Sequence, residues 1–129
     1  MTIVPLLKLR RDQFARALER LREASLGART SLEQDGCIQR FEFTFELAWK
    51  AVAAALSEEG VDAPSPRHAL QEARRLGWIE DDPQYLTLIE DRNLTSHTYH
   101  EATAAAVLSR MPVHIKLFER LLAALERGA

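Results

Sequence analysis

Ile38, Phe41, Phe45, Trp49, Val52 and Leu56 recur at steps of 3, 4, 4, 3 and 4, the period of one face of an α-helix. The spacing predicts a helix from near Asp35 to Gly60. Phe43 and Leu47 project from nearly the opposite side, and Glu42, Glu46 and Lys50, each four residues apart, form a narrow polar ridge between the two apolar stripes. A helix apolar on two sides is either central to a bundle or buries its second side against another subunit. In a bundle this small, the pattern favours a dimer.

The flanking segments follow the same period. Before this helix, Leu7, Phe14, Leu18, Leu21 and Ser25 share a face of a helix predicted from Pro5 to Leu26, which Gly27 ends. Its other faces carry Lys8, Arg10, Arg11, Arg16, Arg20 and Arg22, a basic region read most simply as a solvated surface. After it, Ser65-Pro66 offers a cap followed by proline at the first helical position, opening a short helix to Leu76 that Gly77 stops. Trp78 and Ile79 then turn back toward the core, and Asp82-Pro83 repeats the cap-then-proline signal. Tyr85, Leu88, Ile89, Arg92 and Ser96 share one face of the helix that follows, so Arg92 is expected to face the core. A last helix is predicted from Glu101 to Arg127, with Ala104, Leu108, Met111, Ile115, Phe118, Leu122 and Leu125 as its buried stripe and a kink near Leu108 caused by Pro112. The expected fold is all-α: one domain over residues 1–129, an antiparallel up-and-down four-helix bundle with one short extra helix.

Composition narrows the function. The chain has 129 residues, 47% of them apolar and 28% charged, which fits a globular domain with a real core. A net charge of -2 argues against a general nucleic-acid coat, though not against a local basic patch. The single Cys37 allows no internal disulfide and no cysteine metal cage. No apolar run reaches membrane-spanning length, and the segment Met1 to Lys8 lacks the ordered regions of a signal peptide. A cytoplasmic protein is the expectation.

The stretch Asp91-Arg92-Asn93-Leu94-Thr95-Ser96-His97-Thr98-Tyr99-His100 breaks the amphipathic pattern with a polar cluster. Arginine carries a permanent charge on a donor fork, and histidine is the residue type whose unperturbed pKa lies nearest neutrality. Cleaving RNA without a metal needs a base for the 2′-hydroxyl, an acid for the leaving oxygen and a cation for the charged transition state. His97 suits either proton role and Arg92 the cation, with Tyr99, Ser96 or Asn93 able to orient a phosphate. One histidine per chain is sparse for a complete acid–base pair, and a dimer would supply the second. The plain alternative is that Arg92 and His97 only tie this helix to the central one. An inward guanidinium must be paired in either case, and Glu42 or Glu46 is the expected partner. A metal is disfavoured: His97 and His100 stand three apart with Glu101 following, but a catalytic zinc site usually takes three protein ligands, and Arg92 beside them would repel a cation. His68 and His114 read as surface or packing residues, Cys37 as a small apolar one, and Phe41, Phe43, Phe45 and Trp49 as core rather than base-stacking platforms.

Residues Ile38 to Lys50 and Asp91 to Tyr99 resemble, in order, the two signatures of the nucleotidyltransferase substrate-binding protein family, with Ser65-Pro66-Arg67 and Gly77-Trp78-Ile79 lying where that family has its short helix. The family belongs to the HEPN superfamily of helical bundles. The resemblance implies a homodimer that partners a separately encoded minimal nucleotidyltransferase and binds nucleotide or RNA, with no cofactor of its own. On this reading Arg92 and His97 are the functional pair, and Asn93, Ser96, Tyr99, Glu42, Glu46 and Lys50 the nucleotide- or RNA-binding residues. The alternative it implies is a metal-independent endoribonuclease toxin of a toxin–antitoxin module, acting through Arg92 and His97 and silenced when the partner attaches AMP to Tyr99. One position departs from the pattern: His100 stands where the family often has an acidic or amide cap, which adds a second imidazole beside the motif.

Overall fold

The computed structural model describes residues 5–128; the stretch 1–4, read above for a signal peptide, lies outside them. The described residues form six α-helices and one 3-10 turn, without a strand: α1 (Pro5–Gly27), α2 (Ser31–Glu58), α3 (Pro66–Arg75), α4 (Gln84–Leu94), the turn Thr95–His97, α5 (Glu101–Ser109) and α6 (Met111–Glu126). The helical bundle that the periodicity predicts is therefore present. None of these helices is long and apolar enough to cross a membrane.

α2 is the centre, packing against α1, α3, α4, α5 and α6. It begins four residues earlier than the apolar pattern suggests. Thr30 accepts a hydrogen bond from the Glu33 N–H (3.1 Å), and the Glu33 carboxylate accepts from the N–H groups of Thr30 (2.9 Å) and Arg29 (3.2 Å). This reciprocal box satisfies donors that a helix start leaves open. Those backbone bonds also hold the Glu33 carboxyl below the ordinary carboxylate range. Thr30→Ala should cost about 1 kcal/mol, read as a lower urea midpoint at an unchanged slope.

Phe41 sits at the middle of the core, with its ring centroid 6.0 Å from Phe118, 6.4 Å from Phe45 and 5.1 Å from the stacked His114 imidazole. Phe14, Leu18 and Leu21 bring α1 onto this cluster, and Phe14 meets Phe118 edge-on at 6.0 Å. Thr44, buried on α2, places its hydroxyl 2.6 Å from the Arg40 carbonyl and 3.2 Å from that of Ala17, so the α1–α2 contact leaves it satisfied. α3 is capped by Ser65, whose hydroxyl accepts from the His68 N–H (3.2 Å), and the chain leaves it through Gly77 at φ +79°, a left-handed conformation that suits glycine. Asp82 accepts from the Gln84 N–H (2.9 Å) just ahead of α4.

The structure corrects two expectations. The last helix is not one kinked rod: it breaks at Arg110 into α5 and α6, with Pro112 in the first turn of α6, where a missing N–H costs nothing. Its buried line is Val107, Met111, His114, Leu117, Phe118, Leu121 and Leu125, with Ala104, Leu108, Ile115 and Leu122 on the flank. The inward face of α4 is also rotated. Tyr85, Leu88 and Asp91, then Thr95, are buried, while Arg92 is only half-buried and Ser96 is exposed.

Candidate functional site at the end of α4

Arg92 leaves the last turn of α4 toward α2, its side chain 28% exposed. Its Nη1 lies 3.6 Å from Glu42 Oε2 and its Nε 3.5 Å from Glu46 Oε2. The two glutamates are one helical turn apart on the polar ridge, so both reach one guanidinium. The expected pairing of Arg92 with that ridge is thus present, through both carboxylates. Thr95, a residue the motif reading passed over, completes the hold. Its buried hydroxyl accepts from Arg92 Nη1 (3.1 Å) and lies 2.6 Å from the Arg92 carbonyl oxygen and 3.0 Å from Glu42 Oε2. Among the described residues no hydrogen bond engages Nη2 or the buried Nε, whose approach to Glu46 is an ion-pair contact, and Nη2 remains for a ligand. Two carboxylates around one guanidinium leave the cluster with a formal charge of -1, so a phosphate arriving here gains less than it would at a lone arginine.

Beyond Arg92 the helix tightens into the 3-10 turn Thr95–His97, and the chain turns again before α5. His97, Tyr99 and His100 are exposed, Tyr99 by 75%. Their rings form a chain: Tyr99 lies edge-on to His97 with centroids 6.3 Å apart, and tilted against His100 at 4.4 Å. No hydrogen bond of the described residues occupies their ring nitrogens or the phenol. The site is an exposed turn rather than a pocket.

The other sequence candidates are not gathered here. Ser96 points to solvent, and Lys50, also exposed, forms no ion pair among the described residues. Asn93 borders a shallow depression with Thr87, Glu90, Leu94 and Arg110, a different surface from the Arg92 ion pairs. A separate cleft of about 310 Å³ lies between α3 and the start of α4, edged by Arg67, Arg74, Asp81 and Leu86. The Tyr85 hydroxyl near it is buried without a partner, and burial pushes its pKa up to about 12.

Behind the turn lies a cluster that the motif did not announce. Asp91, 1% exposed, accepts from Arg110 Nε and Nη2, both at 2.7 Å, and lies 2.6 Å from His114 Nε2. Burial is the largest single influence on Asp91 and pushes its pKa up, but the hydrogen bonds from Arg110 and His114 outweigh it and hold the carboxyl below the ordinary range. Burial likewise holds the His114 imidazole below its ordinary value, against the pull of Asp91. His114 is therefore neutral at neutral pH, with Nε2–H donating to Asp91. Its Nδ1 is buried without a partner. The cluster ties the end of α4 to the α5–α6 break. The steps of 3, 3 and 4 from Tyr85 through Leu88 and Asp91 to Thr95 were the signal that could have found it.

Comparison with known proteins agrees with the two-motif reading. Residues 9–127 match the family model described as nucleotidyltransferase substrate binding protein like. A curated relative, the probable ribonuclease HepT of Haemophilus influenzae (strain ATCC 51907 / DSM 11121 / KW20 / Rd), is 35% identical over 81 residues. That match covers 59% of this chain and 56% of the relative, so the chain spans just over half the length of the curated protein it matches. A crystal structure of a Thermus thermophilus protein superposes with a TM-score of 0.81 at 39% identity, covering 85% of this chain and 96% of that one. Fold, motif order and the match over most of the chain agree: the protein belongs to the nucleotidyltransferase substrate binding protein like family, among the HEPN helical bundles.

Proposed function

We propose that this chain is the HEPN-type partner of a separately encoded minimal nucleotidyltransferase and that its own chemistry is metal-independent cleavage of RNA at Arg92 and His97. The observation that carries the reading is the contrast between the two side chains. Arg92 is immobilised by Glu42, Glu46 and Thr95 with Nη2 left over, and His97 stands one turn further on with both ring nitrogens unengaged. A fixed cation and a free imidazole are what in-line attack of a 2′-hydroxyl on its neighbouring phosphate requires. The name of the Haemophilus influenzae relative, a probable ribonuclease, supports the same reading. Tyr99 projects far enough for a partner enzyme to attach AMP to its phenol, which would cover the imidazoles on either side. We read the working form as a homodimer, as the family resemblance implies; Phe43 and Leu47, on the second apolar side of α2, are half-buried beside Arg20 of α1.

A second reading is favoured by one observation, the double carboxylate on Arg92. Glu42 and Glu46 take up charge that the guanidinium would otherwise lend to a phosphorane-like transition state, which suits a subunit that positions a nucleotide for its partner without turnover. In that case Arg92→Ala should weaken nucleotide binding in titration calorimetry while RNA remains intact throughout.

Incubating the purified protein with end-labelled RNA, with and without EDTA, beside His97→Ala separates the two. Cleavage that survives EDTA and disappears in the variant supports the ribonuclease. Intact RNA with a folded, dimeric wild-type preparation overturns it and leaves the binding subunit.

A further inference from the structure

We propose that His100 is the second member of the acid–base pair: His97 takes the proton from the 2′-hydroxyl, and His100 of the same chain protonates the leaving 5′-oxygen. The inference rests on the ribonuclease reading and deepens it, because that reading otherwise needs a second imidazole from another subunit.

Three features of the segment carry it. The first is placement. The His100 N–H donates to the His97 carbonyl at 3.1 Å, so the two residues are the first and last of a tight turn, whose ends lie within about 7 Å of each other. The second is freedom from structural work. His100 is the N-cap of α5 and makes no side-chain cap bond, although that position ordinarily supplies an oxygen to the first turn. An imidazole that caps no backbone group and whose ring contact is the exposed Tyr99 is left with its chemistry. The third is the shared neighbour: the exposed Tyr99 ring lies edge-on to His97 at 6.3 Å and tilted against His100 at 4.4 Å, so both imidazoles belong to one surface cluster. Because no side chain caps α5, its first N–H groups are also open to a phosphate oxygen beside His100. The acidic Glu101 in the same turn works against that anion, so the imidazole rather than the helix end is the functional element.

In the reaction, His97 accepts the 2′-hydroxyl proton while the 2′-oxygen forms a bond to phosphorus. The bond from phosphorus to the 5′-oxygen breaks, and His100, starting protonated, gives its proton to that oxygen. The products are a 2′,3′-cyclic phosphate and a free 5′-hydroxyl, with the two histidines in exchanged protonation states that water restores.

A general acid is dispensable when the leaving group needs no proton, so the test uses two substrates. The dinucleotide UpA leaves through an alkoxide, whereas uridine 3′-(4-nitrophenyl phosphate) leaves through a stable phenolate. In His100→Ala and in His100→Asn, the latter able to cap α5, UpA cleavage should fall at least 100-fold. Release of nitrophenol should fall less than about 3-fold, and His97→Ala should lose both. Equal losses on the two substrates, or no loss on either, would overturn the role of His100 while leaving the ribonuclease intact. A wild-type protein that turns over neither substrate would overturn the ribonuclease reading and this inference together.

Discussion

His97→Ala lowers RNA cleavage by about three to four orders of magnitude and leaves the melting temperature within about 2 °C of wild type. The first half follows from the role: a positioned general base contributes roughly 10²- to 10⁴-fold, and the upper part of that range applies where no neighbour can take over. His100 stands closest, but it begins its step protonated and cannot act as base without giving up the acid role. The second half follows from geometry. His97 is exposed, makes no side-chain hydrogen bond among the described residues, and touches only the edge of Tyr99. Surface substitutions of that kind stay within about 0.5 kcal/mol. Gel-resolved cleavage of labelled RNA beside a thermal melt reads both halves. A full loss of activity with an unchanged melt assigns His97 to chemistry. Activity that persists within about 10-fold removes it from the reaction, whatever the melt shows.

What could be read in the sequence, and what could not, divides by the range of the interactions. The α2 stripe from Ile38 to Leu56 was legible because a single element carries the pattern, and Phe41 and Phe45 lie in the core as their spacing requires. The pairing of Arg92 was legible for an energetic reason: a guanidinium near the core cannot be left alone, and Glu42 and Glu46 offer two carboxylates one turn apart on the central helix. The start of α2 was written in Thr30 and Glu33, but those residues precede the apolar run, so a reading led by hydrophobic period begins the helix too late. The break at Arg110 was half legible. Pro112 announces an interruption, but whether proline kinks a helix or opens a new one depends on what satisfies the neighbouring carbonyls, which is tertiary information.

The rotation of α4 was the most consequential miss. Placing Arg92 on the inward face makes Asp91 a surface residue, whereas Asp91 is among the most buried side chains and Arg92 sits at the boundary. A charged residue next to a charged residue gives a helical wheel little to choose between them, and the partners that decide the matter, Arg110 and His114, lie 19 and 23 residues away. The exposed positions carried a different lesson. Asn93 and Ser96 belong to the motif by order along the chain, yet the helix turns them away from Arg92, so sharing a conspicuous stretch does not place side chains on one surface.

Asp91→Ala costs about 3 kcal/mol at pH 7.5, a fall of roughly 10 °C in melting temperature. Removing one partner of a buried pair ordinarily costs about 3–5 kcal/mol, because the other is left charged and unpaired. The lower end applies because the Arg110 side chain is 39% exposed and can turn to water, whereas the His114 Nε2–H, 1% exposed, cannot. The pH dependence distinguishes this cluster from a general weakening. Burial holds His114 below its ordinary value of 6.5 in the folded state. As pH falls through 6.5, the unfolded chain therefore takes up a proton that the folded one refuses, and stability drops until the folded value is reached. Asp91, also held below its ordinary value of 3.8, contributes stability that is present above 3.8 and is lost as pH falls through its folded value. Both act in the same direction, so the wild-type protein weakens in two stages on acidification. The variant keeps the first stage, since His114 remains buried and neutral, and loses the second; His114→Phe does the reverse. Urea unfolding from pH 7.5 down to 3 measures both. A cost below about 1 kcal/mol in Asp91→Ala, or an acid profile identical to wild type, would mean that water satisfies Arg110 and His114, and that something other than this cluster holds α4 against the α5–α6 break.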